Sequence, residues 1–82
     1  MLDVKDVKVD KELDARGSFC PGPLMELIRV IRESQVGDVI AILSSDRGSR
    51  TDIPKWVDKA GHTLVAIHAR DGYDEIVVVK RR

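Results

Sequence analysis

Two hydrophobic periods alternate along this chain and predict its elements in order. Residues 7–13 set Val7 and Val9 against lysines, the period-two pattern of a half-exposed strand, β1. Asp14-Ala15-Arg16-Gly17-Ser18-Phe19 reads as a loop by its Gly and Ser. From Pro21 to about Ser34, Leu24, Leu27, Ile28 and Ile31 recur at i, i+3, i+4 and i+7, the apolar stripe of a helix, α1. Glu26, Arg29 and Glu33 fall on its other face, where Arg29 can pair with both carboxylates.

Gly37-Asp38 turns the chain into residues 39–44, VIAILS, a continuous apolar run expected of a central strand covered on both faces, β2. A polar stretch then leads into a second helix, α2, at about 52–60, striped by Ile53, Trp56, Val57 and Ala60. Asp52 is placed to cap it, Pro54 suits its first turn, and Gly61 suits the C′ position. Residues 63–69 and 74–80 are two further strands, β3 and β4, with Asp71-Gly72 as the hairpin signal between them.

The order β-α-β-α-β-β makes β1 and β2 parallel through a right-handed crossover and the last pair antiparallel. Each helix has one apolar stripe, so both should cover the same face of the sheet. The expected fold class is α+β, a two-layer α/β sandwich: a four-stranded mixed sheet with two helices on one face.

Composition narrows the function. Eighty-two residues allow one domain, 1–82, with one modest core. No run approaches the roughly 18 apolar residues that span a bilayer, and the first residues lack the apolar stretch of a secretory signal. A cytoplasmic location with no membrane association is expected. Fourteen basic and fourteen acidic residues cancel, which argues against a charge-driven hold on nucleic acid. Lys80-Arg81-Arg82 reads as a solvated tail. His62 and His68 stand apart, so no metal-ligand cluster forms, and neither metal nor other cofactor is expected.

The chain has one cysteine, so any chemistry at Cys20 is intermolecular. A lone cytosolic cysteine is most often a small buried hydrophobe. Cys20, however, follows a Gly/Ser loop and stands before two prolines at the expected helix N-terminus. A thiolate there meets the positive end of the helix dipole. Pro21 and Pro23 lack an N–H, which leaves Gly22 as the expected backbone donor to the sulfur. The dipole contributes about 0.3–1 kcal/mol, less than one pKa unit. With help from Arg16, a modestly lowered pKa is expected, suited to thiol exchange at ambient pH.

Leu13-Asp14-Ala15-Arg16-Gly17 followed by Cys20-Pro21-Gly22-Pro23 resembles the LDxRG and CPxP signature of the TusA/SirA-type sulfur-carrier family. Gly37-Asp38 before an apolar strand, Asp52-Ile53-Pro54 and Gly61-His62 extend the resemblance over about residues 10–80. The resemblance implies the same βαβαββ fold and a persulfide carried on Cys20, supported by Pro21 and Pro23. It implies two kinds of partner: a sulfur-donor protein, of the cysteine desulfurase or rhodanese-like type, and a sulfur-acceptor protein. Such carriers serve tRNA thiolation, cofactor sulfuration or sulfur oxidation. A monomer is expected, because a carrier presents one cysteine to successive partners, and no separate substrate pocket is needed. Glycine between the two prolines is smaller than usual for the family and bears on partner choice.

Two other readings stand beside this one. The first is a non-catalytic regulatory or interaction module with the same fold; the second is a peroxide sensor working through a sulfenic acid. Arg16 either assists the thiolate or a partner, or pins its loop to the sheet. Asp14 reads as a loop cap, His62 as a cationic helix-end residue, His68 as a cross-strand contact and Trp56 as core. Arg47 and Arg50 flank Gly48 in a loop that is either solvated or part of a docking surface.

Overall fold

The structure is a computed structural model that describes residues 9–18 and 22–82. Its elements are β1 (Lys11–Asp14), α1 (Gly22–Glu33), β2 (Val39–Ser44), α2 (Ser49–Ala60), β3 (Thr63–Ala69) and β4 (Asp74–Val79). The sheet runs β1-β2-β4-β3, with β1 parallel to β2 and the other two pairings antiparallel. One hydrophobic cluster joins Leu27, Val30 and Ile31 of α1 and Ile53 and Val57 of α2 to Ile40, Ile42, Ile76 and Val78 of the sheet. Both helices therefore cover one face, and the expected two-layer mixed-sheet fold is what the chain forms.

β2 is buried along nearly its whole length. Ile40 and Ile42 face the helices. Ala41 and Leu43 point the other way, Ala41 between Glu12 and Val77 and Leu43 between Asp14 and Glu75. This two-sided burial explains why the strand reads as an unbroken apolar run.

Three local expectations change. β1 extends to Asp14, because Asp14 pairs with Leu43 and the Ala15 N–H donates to the Leu43 carbonyl at 2.8 Å. Val9 is described but lies outside the strand, and Val7 falls outside the described residues. The buried stripe of α1 is Pro23, Leu27, Val30 and Ile31, continued by Ser34, so the helix is rotated until Val30 rather than Ile28 faces the core. Arg29 does bridge Glu26 at 2.8 Å and Glu33 at 3.5 Å.

The third change concerns α2, which begins at Ser49, not near Asp52. Gly48 already has helical angles, φ −60° and ψ −29°, and no side chain caps it. Backbone bonds of the i→i−3 kind, from Ser49 to Asp46 and from Arg50 to Arg47, wind the loop straight into the helix. Pro54 consequently sits in the second turn, where it removes one i→i−4 bond. The other end follows expectation. Gly61 takes φ +83°, and the Gly61 and His62 N–H groups donate back to Asp58 and Val57, a Schellman closure.

The C-terminal residues are also more engaged than a solvated tail. Lys80 Nζ donates to the Ser34 carbonyl at 2.6 Å, while Arg81 donates from its backbone to His62 Nδ1 and from Nε to Thr63 Oγ1. Among the described residues, no helix is long and apolar enough to cross a membrane.

Candidate functional site

In a parallel β-α-β unit the chain leaves each strand at its C-terminal end and enters the following helix at its N-terminal end. The ends of β1 and β2 and the starts of α1 and α2 thus share one edge of the molecule. The described parts of the sequence motif, 13–18 and 22–23, lie at the end of β1 and the start of α1. Phe19, Cys20 and Pro21 lie outside the described residues, so the expected Gly22 N–H donation to the Cys20 sulfur does too. The residues on either side are described.

On the β1 side, Asp14 Oδ1 accepts from both the backbone N–H and Nε of Arg16, and Asp14 Oδ2 accepts from Arg16 Nη2 at 2.8 Å. This is a bidentate fork closed over two residues, and it pins the loop to the strand end. The Arg16 guanidinium beside it holds the Asp14 carboxyl down at about 2, and the same pair raises the Arg16 pKa. Arg16 also lies over Tyr73, its Cζ 4.9 Å from the ring centroid, in cation–π geometry. Of the two roles read for Arg16, the pinning one is present. The next residue, Gly17, has φ +90° and donates its N–H to Ser45 Oγ at 2.8 Å. Only glycine adopts such a φ without strain.

On the α1 side, Gly22 is the first helical residue and Pro23 the second. Pro23 is fully buried and in phase with Leu27, so its ring anchors the helix start in the core. A Cβ on Gly22 would sit 3.4 Å from Ser18 Cβ, ordinary contact that the backbone tolerates.

Beside this edge, Arg47 and Arg50, read as either solvated or part of a docking surface, form one wall of a cleft whose other wall the sequence did not indicate. This open cleft of about 930 Å³ is lined by Ser45, Arg47, Arg50, Thr51, Arg70, Gly72, Tyr73 and Asp74. The antiparallel pairing of Ser44 with Asp74 brings the β3–β4 hairpin alongside the β2–α2 loop and so assembles it.

The remaining candidates resolve simply. His68 stands opposite Glu75 across the β3–β4 ladder. Trp56 is half-buried against the core, its ring 5.5 Å from His62 and tilted by 40°. His62 is not the cation expected at a helix end. Burial pushes its pKa down, the charges of Lys80 and Arg82 push it further, and Nδ1 accepts the Arg81 N–H. Among the described residues, no group of three His, Cys, Asp or Glu could hold a metal ion.

Comparison with known proteins agrees with the motif. The sequence profile of the family described as "Sulfurtransferase TusA" matches residues 11–80. A protein of Archaeoglobus fulgidus is 54% identical over 68 residues, covering 83% of this chain and 93% of its own length. The "Sulfur carrier protein TusA" of Pseudomonas syringae pv. syringae is 41% identical over 69 residues, covering 84% of this chain and 82% of its own. The crystal structure of a SirA-like protein from Desulfitobacterium hafniense superposes with a TM-score of 0.77 over 88% of this chain and 99% of that one. At 23% identity that likeness speaks for the fold. With the profile spanning all six elements and the LDxRG and CPxP residues in the sequence, this chain belongs to the TusA family.

Proposed function

We propose that the protein is a sulfur carrier that holds sulfane sulfur as a persulfide on Cys20 and relays it between proteins. The relatives named as sulfur carriers support the class of function. The observation that carries the assignment to Cys20 is the anchoring of both its flanks. Three residues before it, Gly17 is fastened to Ser45; three residues after it, Pro23 is buried in the core. A short segment between two fixed points is suited to presenting one thiol to successive partners.

Loading begins when the Cys20 thiolate attacks the outer sulfur of a donor persulfide. That sulfur–sulfur bond breaks, the donor cysteine leaves as thiolate, and Cys20–S–SH forms. Unloading is the same exchange in the other direction: an acceptor thiolate takes the outer sulfur and Cys20 departs as thiolate. Neither step changes the total oxidation state, and neither needs a metal or a general base. The partners are a donor of the cysteine desulfurase or rhodanese-like type and a protein acceptor, met in turn by a monomer in the reducing cytoplasm.

Intact-mass measurement after incubation with a persulfide donor, without reductant, tests this. The expected result is a gain of about one sulfur atom (~32 Da), removed by dithiothreitol and absent in Cys20→Ser. An alkylatable thiol that gains no sulfur would instead leave a binding module of the same fold.

A further inference from the structure

We propose that the cleft between the β2–α2 loop and the β3–β4 hairpin binds an acidic segment of the transfer partner, its carboxylates held by Arg47, Arg50 and Arg70. The identity of the partner rests on the sulfur-carrier reading above; the carboxylate site rests on the cleft itself. The chain as a whole is electrically neutral, yet among the described residues three guanidiniums line this one cleft, against the carboxylate of Asp74 and that of Glu75 bound to Arg70 beside it. Such a local excess marks a surface for an oppositely charged group rather than a general solubility feature.

Two of the arginines already pair with carboxylates of this chain. Arg50 Nε lies 3.5 Å from Asp74 Oδ2, and Arg70 Nη2 lies 2.7 Å from Glu75 Oε1. Both carboxylates are largely shielded, with side chains 15% and 18% exposed, while the two guanidiniums remain about half exposed. Each arginine is therefore held in place by one edge and offers its other N–H groups outward. A guanidinium has five donors in a fixed fork, so one internal bond does not exhaust it. Arg47 is exposed and makes no ion pair among the described residues. The hydroxyls of Ser45, Thr51 and Tyr73 complete a lining able to donate to carboxylate oxygens.

Geometry favours an acidic protein segment over RNA. Single-stranded RNA is read by stacking on free aromatic faces, and among the described residues the only aromatic lining the cleft is Tyr73. Arg16 lies over that ring. Position ties the cleft to transfer, because Ser45 lines it and also fastens Gly17, three residues before Cys20. A partner whose cysteine meets Cys20 would extend over this neighbouring surface.

The test is an amide NMR titration of the full chain with hexaglutamate at low salt, with inorganic phosphate and hexauridylate in parallel. Hexaglutamate is expected to shift the amides of Ser45, Thr51, Gly72 and Tyr73 and the Arg side-chain Nε–H signals. Charge reversal in Arg47→Glu/Arg50→Glu should weaken binding by about tenfold or more, as should salt, which screens exposed charges. Retained amide dispersion in that variant shows that it folds. Absence of localised shifts overturns the proposal. So does tighter binding of hexauridylate, which would make this an RNA site, or of phosphate alone, which would make it a small-oxyanion site. Loading of Cys20 by inorganic polysulfide is measured on the same samples. Loading without peptide binding sinks the cleft alone; peptide binding without loading sinks the carrier reading and leaves the carboxylate site standing.

Discussion

The Gly17 N–H donates to Ser45 Oγ at 2.8 Å, which fastens the loop leaving β1 to the chain just beyond β2. The bond spans 28 residues of sequence but only two neighbouring strands. In Ser45→Ala the Gly17 amide loses its acceptor and should exchange with solvent about tenfold faster. Global stability should fall by no more than about 1 kcal/mol, since the bond is exposed and water replaces it. Hydrogen exchange read by NMR separates the two effects. An unchanged Gly17 rate, with core amides as internal reference, would mean that the hydroxyl does not hold the loop.

The Asp14 carboxyl, pinned by Arg16, should titrate with a midpoint at about 2 rather than at the ordinary 3.8. A carboxyl depressed by folding stabilises the fold above its ordinary pKa, and that contribution disappears as pH falls through about 2. In Arg16→Ala the midpoint should return towards 3.8, and Arg16→Lys should fall between, because lysine keeps the charge without the fork. Carboxyl carbon chemical shifts followed from about pH 5 to about pH 1.5 report it directly. A midpoint that does not move in Arg16→Ala would remove the pairing as its cause.

Most of the fold was legible because each element has a clean period and a clear stop. The unbroken run 39–44 marked the strand buried on both sides, and Gly61 marked the end of α2 through its positive φ. The face of α1 was less legible. Ile28 and Val30 are both apolar, and which one turns inward is decided by Pro23, whose ring is buried in phase with Leu27. The start of α2 was hidden because Gly48, ordinarily a breaker, adopts helical angles.

Of the cleft, the sequence offered only Arg47 and Arg50 as one side of a docking surface; its other wall was not legible. Arg50 and Arg70 are twenty residues apart, and only the pairing of Ser44 with Asp74 makes them neighbours. The LDxRG and CPxP residues were legible as a motif, and the structure adds what two of them do: Arg16 closes on Asp14, and Pro23 anchors the helix.

Anchoring by Pro23 makes a graded prediction. Pro23→Ala removes about two buried methylenes, worth about 1.5 kcal/mol at roughly 0.8 kcal/mol each. Leu27→Ala, four residues on in the same stripe and fully buried, also leaves a cavity and should cost about 2–5 kcal/mol. Urea unfolding midpoints at constant slope give both numbers. If Pro23→Ala were neutral while Leu27→Ala cost its full amount, the proline ring would not be an anchor.

His62 gives the sharpest dependence on pH. Its Nδ1 accepts the Arg81 N–H at 3.1 Å, so that nitrogen carries no proton in the folded chain. Burial first, then the charges of Lys80 and Arg82, lower its pKa below the ordinary 6.5. A histidine whose pKa falls on folding binds its proton more readily when unfolded. Stability is therefore complete above about pH 6.5, declines as pH drops below it, and levels off once the folded state also protonates. His62→Asn keeps an acceptor for Arg81 without a titrating group, so its stability should stay flat across the same range. The single tryptophan, Trp56, has its ring 5.5 Å from that of His62, and its fluorescence can follow protonation in the folded protein. A fluorescence midpoint below 6.5 in the wild type, absent in His62→Asn, is the expected result. A midpoint at or above 6.5 would mean that the imidazolium is the form this corner of the fold prefers.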